Sequence, residues 1–256
     1  MPPSKKPAPP RLSLVDALSE LEAAGSEQTR KIYLRHGAVE PLFGVSFAKL
    51  KALLKRIKVD HALAVGLWET GNHDARNLAV KVADPAALSA DDLDHWALTG
   101  AGRLCTDYVA LLALDGPHAH AKLASWLAAD DARLRTAGWR LLGHLAQRDE
   151  ALADSEFLGR LHEIPSAIHA VTDAEREAMN AAVIAVGCRS EGLRAAAVEA
   201  ATQIGRVVVD HGQTACKTPE VMATLDKTWA YATGKGFASP AAAERERERE
   251  PLRLRC

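Results

Sequence analysis

Apolar residues recur along this chain at the three-to-four-residue spacing of one-sided helices. Phe47, Leu50, Leu54 and Ile57 make one stripe, Leu134, Ala137, Leu141 and Leu145 a second, and Leu193, Ala197, Ala200 and Ile204 a third, with Ile184 and Cys188 part of another. The pattern is interrupted at Gly37, Gly44, Asp60, Gly71, Pro85, Gly100–Gly102, Gly116-Pro117, Asp130, Pro165, Gly192 and from Gly212 to Pro219. About a dozen helices with short connections are predicted, and no hairpin. Each stripe covers one face only, so each helix needs neighbours.

Three segments share an arginine followed by small and apolar residues: Arg76-Asn77-Leu78-Ala79, Arg135-Thr136-Ala137-Gly138 and Arg194-Ala195-Ala196-Ala197. Their arginines are 59 residues apart in both intervals, 76 to 135 and 135 to 194. That spacing suggests internal repetition with a helix pair as the unit, the small residues letting paired helices approach closely. The expected architecture is therefore an all-α superhelix, a solenoid of stacked helices. Aromatic residues make up only 5% of the chain, which argues further against a β-sandwich.

The ends read differently. Five of the first ten residues are proline, and Glu244 to Glu250 alternates Glu with Arg without an apolar face. Residues 1–11 and 236–256 are read as tails around one helical domain at 12–235. The chain has no apolar run of about 18 residues and its start lacks the apolar core of a secretory signal, so a cytoplasmic protein without a membrane partner is expected. Cys105, Cys188, Cys216 and Cys256 form no C-x-x-C pair, and neither a disulfide framework nor a structural zinc is implied.

Net charge is only −1, but its distribution is uneven. From Gln28 to Lys58 eight basic residues face one acid, Glu40; from Asp149 to Glu177 eight acids face two arginines. Lys51, Lys55 and Lys58 share one face of the helix that starts near Phe47, as a phosphate-contacting surface would require. A solvated helix face accounts for the same spacing.

Two residues point to chemistry more sharply. If the segment from Gly102 to Leu111 is helical, Asp107 falls between Leu104 and Leu111 on the apolar stripe, where a carboxylate is costly without a purpose such as stabilising a cation. Alternatively, Thr106 or Asp107 caps a helix that begins just after it. Arg135, one turn before Trp139, can stack on the indole, reach phosphate or Asp107, or form an ion pair within the fold. The loop from Val209 to Pro219 carries Asp210, His211, Cys216 and Lys217, but one His and one Cys fall short of a zinc set, and Thr218 as N-cap with Pro219 behind it explains its end.

The run Arg35-His36-Gly37-Ala38, then Leu42-Phe43-Gly44-Val45, Leu67-Trp68-Glu69-Thr70-Gly71, Asp74-Ala75-Arg76-Asn77-Leu78-Ala79 and Asp84-Pro85 resembles the DNA alkylation repair family of HEAT-like repeat proteins. So do Cys105-Thr106-Asp107, Leu134-Arg135-Thr136-Ala137 and the stretch from Ala178 through Arg189 to Pro219, which is similar to one bacterial branch of that family. The resemblance covers roughly residues 28 to 232. It implies a HEAT-like helical-repeat solenoid whose concave side cradles duplex DNA, and a DNA N-glycosylase that excises cationic N3- or N7-alkylated purines without a cofactor or metal.

By the same resemblance, Asp107 takes the place of the acid that stabilises charge developing on the deoxyribose, and Arg135 that of a phosphate-binding arginine. Arg103, Lys51, Lys55 and Lys58 join it as expected DNA contacts of a monomer. The chain departs from the glycosylase pattern where two tryptophans contact the lesion-bearing sugar. Arg103 stands four residues before Asp107 at the first position, and Asn180-Ala181-Ala182 marks the second. Losing both aromatic walls weakens cation stabilisation by about 1–4 kcal/mol in total, which reduces catalysis more than DNA binding; the alternative is a non-catalytic scaffold that binds protein or branched DNA.

Overall fold

The computed structural model describes residues 12–247. They form α1 (Leu14–Ala24), α2 (Glu27–Arg35), α3 (Phe47–Ile57), α4 (His61–Glu69), α5 (His73–Val82), α6 (Ala90–Thr99) and α7 (Arg103–Asp115). There follow α8 (Ala119–Leu127), α9 (Ala132–Arg148), α10 (Asp154–Ala167), α11 (Asp173–Gly187), α12 (Glu191–Ile204), α13 (Val221–Gly234) and α14 (Pro240–Arg247). Short polar side chains start most of them. Ser26, Asp60, Asn72, Asp131, Thr172 and Ser190 each accept a backbone N–H of the first turn, and Ser89 with Asp92 closes a reciprocal box at α6. The β structure among the described residues is an isolated antiparallel bridge between Gly25 and Val45.

The helices stack in two rows. α3, α5, α7, α9, α11 and α13 pack in succession as an inner row, and α4, α6, α8, α10 and α12 lie behind them. Close approach is achieved with glycine: a Cβ on Gly138 of α9 would lie 3.0 Å from Leu127 of α8, and one on Gly143 would lie 3.3 Å from Ala185 of α11. The core between the rows is continuous, and at its N-terminal end Trp68 and Trp96 stack with centroids 4.3 Å apart.

The fourth residue of several inner helices is an arginine that reaches back to carbonyls at the end of the helix before. Arg76 of α5 donates from Nε to Trp68 O, Arg135 of α9 from Nη1 to Ala129 O, and Arg176 of α11 from Nε to Ile168 O. These carbonyls carry the partial negative charge of a helix C-terminus, so a guanidinium there satisfies acceptors the helix leaves open. The 59-residue period is thereby corrected. Arg76 and Arg135 are equivalent, but Arg194 sits on the outer helix α12, pairs with Asp226 and lies over Trp229; Arg176, 41 residues after Arg135, holds the third clamp.

Asp74, fully buried in the first turn of α5, accepts the backbone N–H groups of Phe43, Gly44 and Val45 at 2.6, 2.9 and 2.8 Å. Three donors on one carboxylate fix the turn before α3 and, through the Gly25–Val45 bridge, the end of α1. Gly44 is required there: its φ is +78° and a Cβ would meet the Arg30 N and the Ser26 O at 2.5 Å.

Three expected boundaries shift. Pro165 lies inside the last turn of α10, and Gly192 lies in the first turn of α12, where N–H groups have no intrahelical partner in any case. α13 is capped by the Glu220 carboxylate, which accepts from Met222 N and Ala223 N, in place of Thr218. The C-terminal tail also begins with structure: α14 buries Ala241 and Ala243, and Arg245 donates to Gln147 O and pairs with Glu150. The small alanines give the Glu/Arg stretch a face to dock. The remainder of that tail and the proline-rich start lie outside the described residues.

Candidate functional site

Gly102, at φ +82°, turns the chain into α7, so Arg103 is the first helical residue and Asp107 lies one turn further along the same face. Asp107 is therefore no helix cap. Its Oδ1 meets His144 Nε2 of α9 at 3.0 Å, with 30% of the side chain exposed. Burial pushes the Asp107 carboxyl up, but the His144 hydrogen bond and the charges of His144, Arg140 and Arg103 outweigh it and hold the group below the ordinary carboxylate range.

Arg140 stands one turn before His144 on α9 and is 8% exposed. Its Nη2 lies 3.3 Å from Glu177 Oε2, while its buried Nε has no partner among the described residues. Burial lowers the Arg140 pKa from its usual value, opposed by the negative charge of Asp107 and Glu177. Glu177, in the second turn of α11, turns its other oxygen to Arg103 Nη1 at 2.9 Å. Three consecutive inner helices thus bring together two cations, two anions and an imidazole.

Beside this cluster lies a cleft of about 840 Å³, whose lining reaches Arg103 and Glu177 but not Asp107, Arg140 or His144. Arg103 and Glu177 lie in its lining, with His73 of α5, Tyr33 and Arg35 of α2, and His211 of the loop before α13. The ring of His73 is 5.5 Å from that of Tyr33, and burial holds its pKa down, so it faces the cleft as a neutral imidazole at pH 7. The 205–220 loop is anchored on α11: Arg176 donates to Val208 O, Asp210 N to Asp173, and Asn180 to Pro219 O. At its tip a Cβ on Gly212 would lie 3.7 Å from Arg35 O, so the two ends of the superhelix approach across the cleft mouth. In this loop His211 faces the Thr218 hydroxyl at 3.0 Å. Among the described residues no His, Cys, Asp and Glu cluster of metal-binding size occurs.

The other expected contacts lie elsewhere. Arg135 gives Nε and Nη2 to the fully buried Glu175 at 2.7 and 2.9 Å, and Nη1 to the carbonyls of Ala129 and Asp130. Its guanidinium is thus turned to Glu175 and the helix end, whereas Asp107 is turned to His144. Lys51, Lys55 and Lys58 are exposed, opposite the buried Leu50, Leu53 and Leu54 of α3. Part of the surrounding basic excess is neutralised locally, Arg56 by Glu20 and Arg30 by Glu27 and Glu40. Arg140, His144 and Glu177 were not singled out from the sequence. The signal for Arg140 and His144 is their i, i+4 placement on the helix that carries Arg135; Glu177, on α11, carries none.

Comparison with known proteins agrees with this architecture. An uncharacterized protein of Listeria monocytogenes is 27% identical over 215 residues, covering 82% of this chain and 94% of its own, and one of Listeria innocua is 26% identical over the same length and shares. A solved structure superposes with a TM-score of 0.77 at 30% identity over 88% of this chain and 95% of its own. It is described as a new family of proteins related to the HEAT-like repeat DNA glycosylases with affinity for branched DNA structures. The model of the DNA alkylation repair enzyme family matches residues 17–220, and this helical-repeat chain belongs to that family.

Proposed function

We propose that the protein binds DNA along its inner row, as a monomer in the cytoplasm, and that Asp107 serves there in the excision of N3- or N7-alkylated purines from duplex DNA. The observation that carries this reading is Asp107 itself, a carboxylate held ionised in a partly open site on the inner row. An alkylated purine is already cationic, so its departure needs no acid. As the C1′–N9 bond breaks, the base takes the bonding pair and leaves neutral, and positive charge passes to the sugar. Asp107 stabilises that charge; a water then adds to C1′ and gives up its proton to the carboxylate. Arg103, Lys51, Lys55 and Lys58 supply cations for phosphates, and Arg135 adds the part of its side chain that Glu175 leaves exposed.

A second reading, DNA binding without excision and with preference for branched structures, is favoured by the Arg103–Glu177 ion pair where glycosylases of the family place an aromatic wall. Duplex containing 7-methylguanine separates the two. Under the first reading free base is released and Asp107→Asn is slower by about 100-fold or more; no release above buffer, with retained binding to a four-way junction, establishes the second. Sedimentation of the free protein checks the monomer.

A further inference from the structure

Glu177 bridges two guanidiniums, one oxygen to each, at the edge of a cleft whose lining also carries Arg35, Asp173 and Asp210. Arg103 is 60% exposed and held by Glu177, whereas Arg140 is 7% exposed in its side chain, with a buried Nε–H that no group among the described residues satisfies. The Glu177–Arg140 contact is long, at 3.3 Å, and leaves this donor unused. A ligand with paired anionic oxygens and further acceptors fits the two guanidiniums better than a carboxylate does. We infer that Glu177 is an internal stand-in for a phosphodiester: it occupies an Arg103–Arg140 phosphate site in the free protein and is displaced when a nucleic-acid phosphate enters. This deepens the DNA-binding reading above and rests on it for the identity of the ligand.

The arrangement keeps the free site near neutrality, with Arg103 and Arg140 set against Asp107 and Glu177. It also makes binding an exchange of anions, so that the backbone must outcompete a tethered carboxylate. A weakly held phosphate elsewhere on the chain does not meet that requirement, and the site discriminates by position.

The test is Glu177→Gln, compared with Asp210→Asn, which removes the same charge from the same cleft while its amide oxygen can still accept from Gly212 N. Fluorescence titration of a labelled duplex across salt concentrations is expected to show Glu177→Gln binding about tenfold more tightly and its salt slope steeper by about 0.9, one further phosphate contact. Asp210→Asn changes affinity less than about threefold. Adding Arg103→Gln to Glu177→Gln abolishes the gain. Inorganic pyrophosphate supplies a readout free of DNA, raising the Tm of Glu177→Gln more than that of the wild type. If Glu177→Gln folds poorly, Glu177→Asp keeps the charge but shortens its reach, and a smaller gain is expected. Equal affinities for Glu177→Gln and Asp210→Asn, or equal pyrophosphate responses of Glu177→Gln and wild type, overturn the inference. Wild type that binds no DNA while Glu177→Gln keeps its pyrophosphate response overturns the DNA reading instead.

Discussion

Asp107 of α7 and His144 of α9 face each other across the helix interface at 3.0 Å, so the carboxylate is held by the neighbouring layer of the inner row. The excision reading depends on this anion. Its folded pKa lies below the usual 3.8, because the hydrogen bond and positive charges around it outweigh burial. The ion thus contributes stability above about pH 4 that is lost as the pH falls through the folded value. Denaturant unfolding of wild type and Asp107→Asn at pH 7 and at about pH 3 is expected to give a gap that narrows in acid. A gap independent of pH is incompatible with this linkage.

Arg135 and Glu175 are tied to stability whatever else Arg135 does. Arg135→Ala leaves the buried Glu175 carboxylate without its guanidinium and opens the carbonyls of Ala129 and Asp130. Because the arginine side is 28% exposed, the loss is set near the lower end for a broken buried pair, about 3 kcal/mol, or a Tm fall of roughly 6–12 °C. Scanning calorimetry reads it; an unchanged Tm excludes the clamp.

Asp74→Ala removes one acceptor shared by three backbone N–H groups, at a cost of several kcal/mol by the usual penalty of about 1–3 kcal/mol for each buried donor left open. The damage is local to the turn before α3 and the end of α1, so hydrogen exchange is expected to rise at residues 25–45 well before it rises in α9 or α11. Gly44→Ala strikes the same turn from the other side, through its positive φ and the 2.5 Å approach to Arg30 N. Uniform exchange across the chain in either variant counts against this assignment.

Lys51 and Lys55 of α3 and Lys58, which caps its end at φ +63°, are all exposed, so replacing all three by Gln tests them as phosphate contacts without disturbing the buried Leu50, Leu53 and Leu54. If all three meet the duplex backbone, the slope of log K against log salt becomes shallower by about 2.7. An unchanged slope places the DNA away from α3.

Much of the fold was legible because one-sided helices leave a strong mark: the stripes of α3, α9 and α12 and the breaks at Gly71, Asp130 and Gly212 stand in the order of residues. Pro165, Gly192 and Arg194 misled, since a residue type carries no record of whether it sits in a first turn, a last turn or an outer layer. Asp107 was visible as a charge on an apolar stripe. Its partners were not, because His144 and Glu177 come from helices 37 and 70 residues further along, and only the stacking of three inner helices makes them neighbours. Asp74 shows the same limit: its spacing gives no hint of a turn some 30 residues earlier.

The clamps at Arg76, Arg135 and Arg176 grip main-chain oxygens, which every amino acid supplies alike. Register between layers is therefore insensitive to which residues supply the carbonyls, and only the arginines themselves need to be kept. The residue at position 103 can change in such a frame without the superhelix losing its pitch, so the lining of the cleft can be rewritten while the scaffold stays as it is.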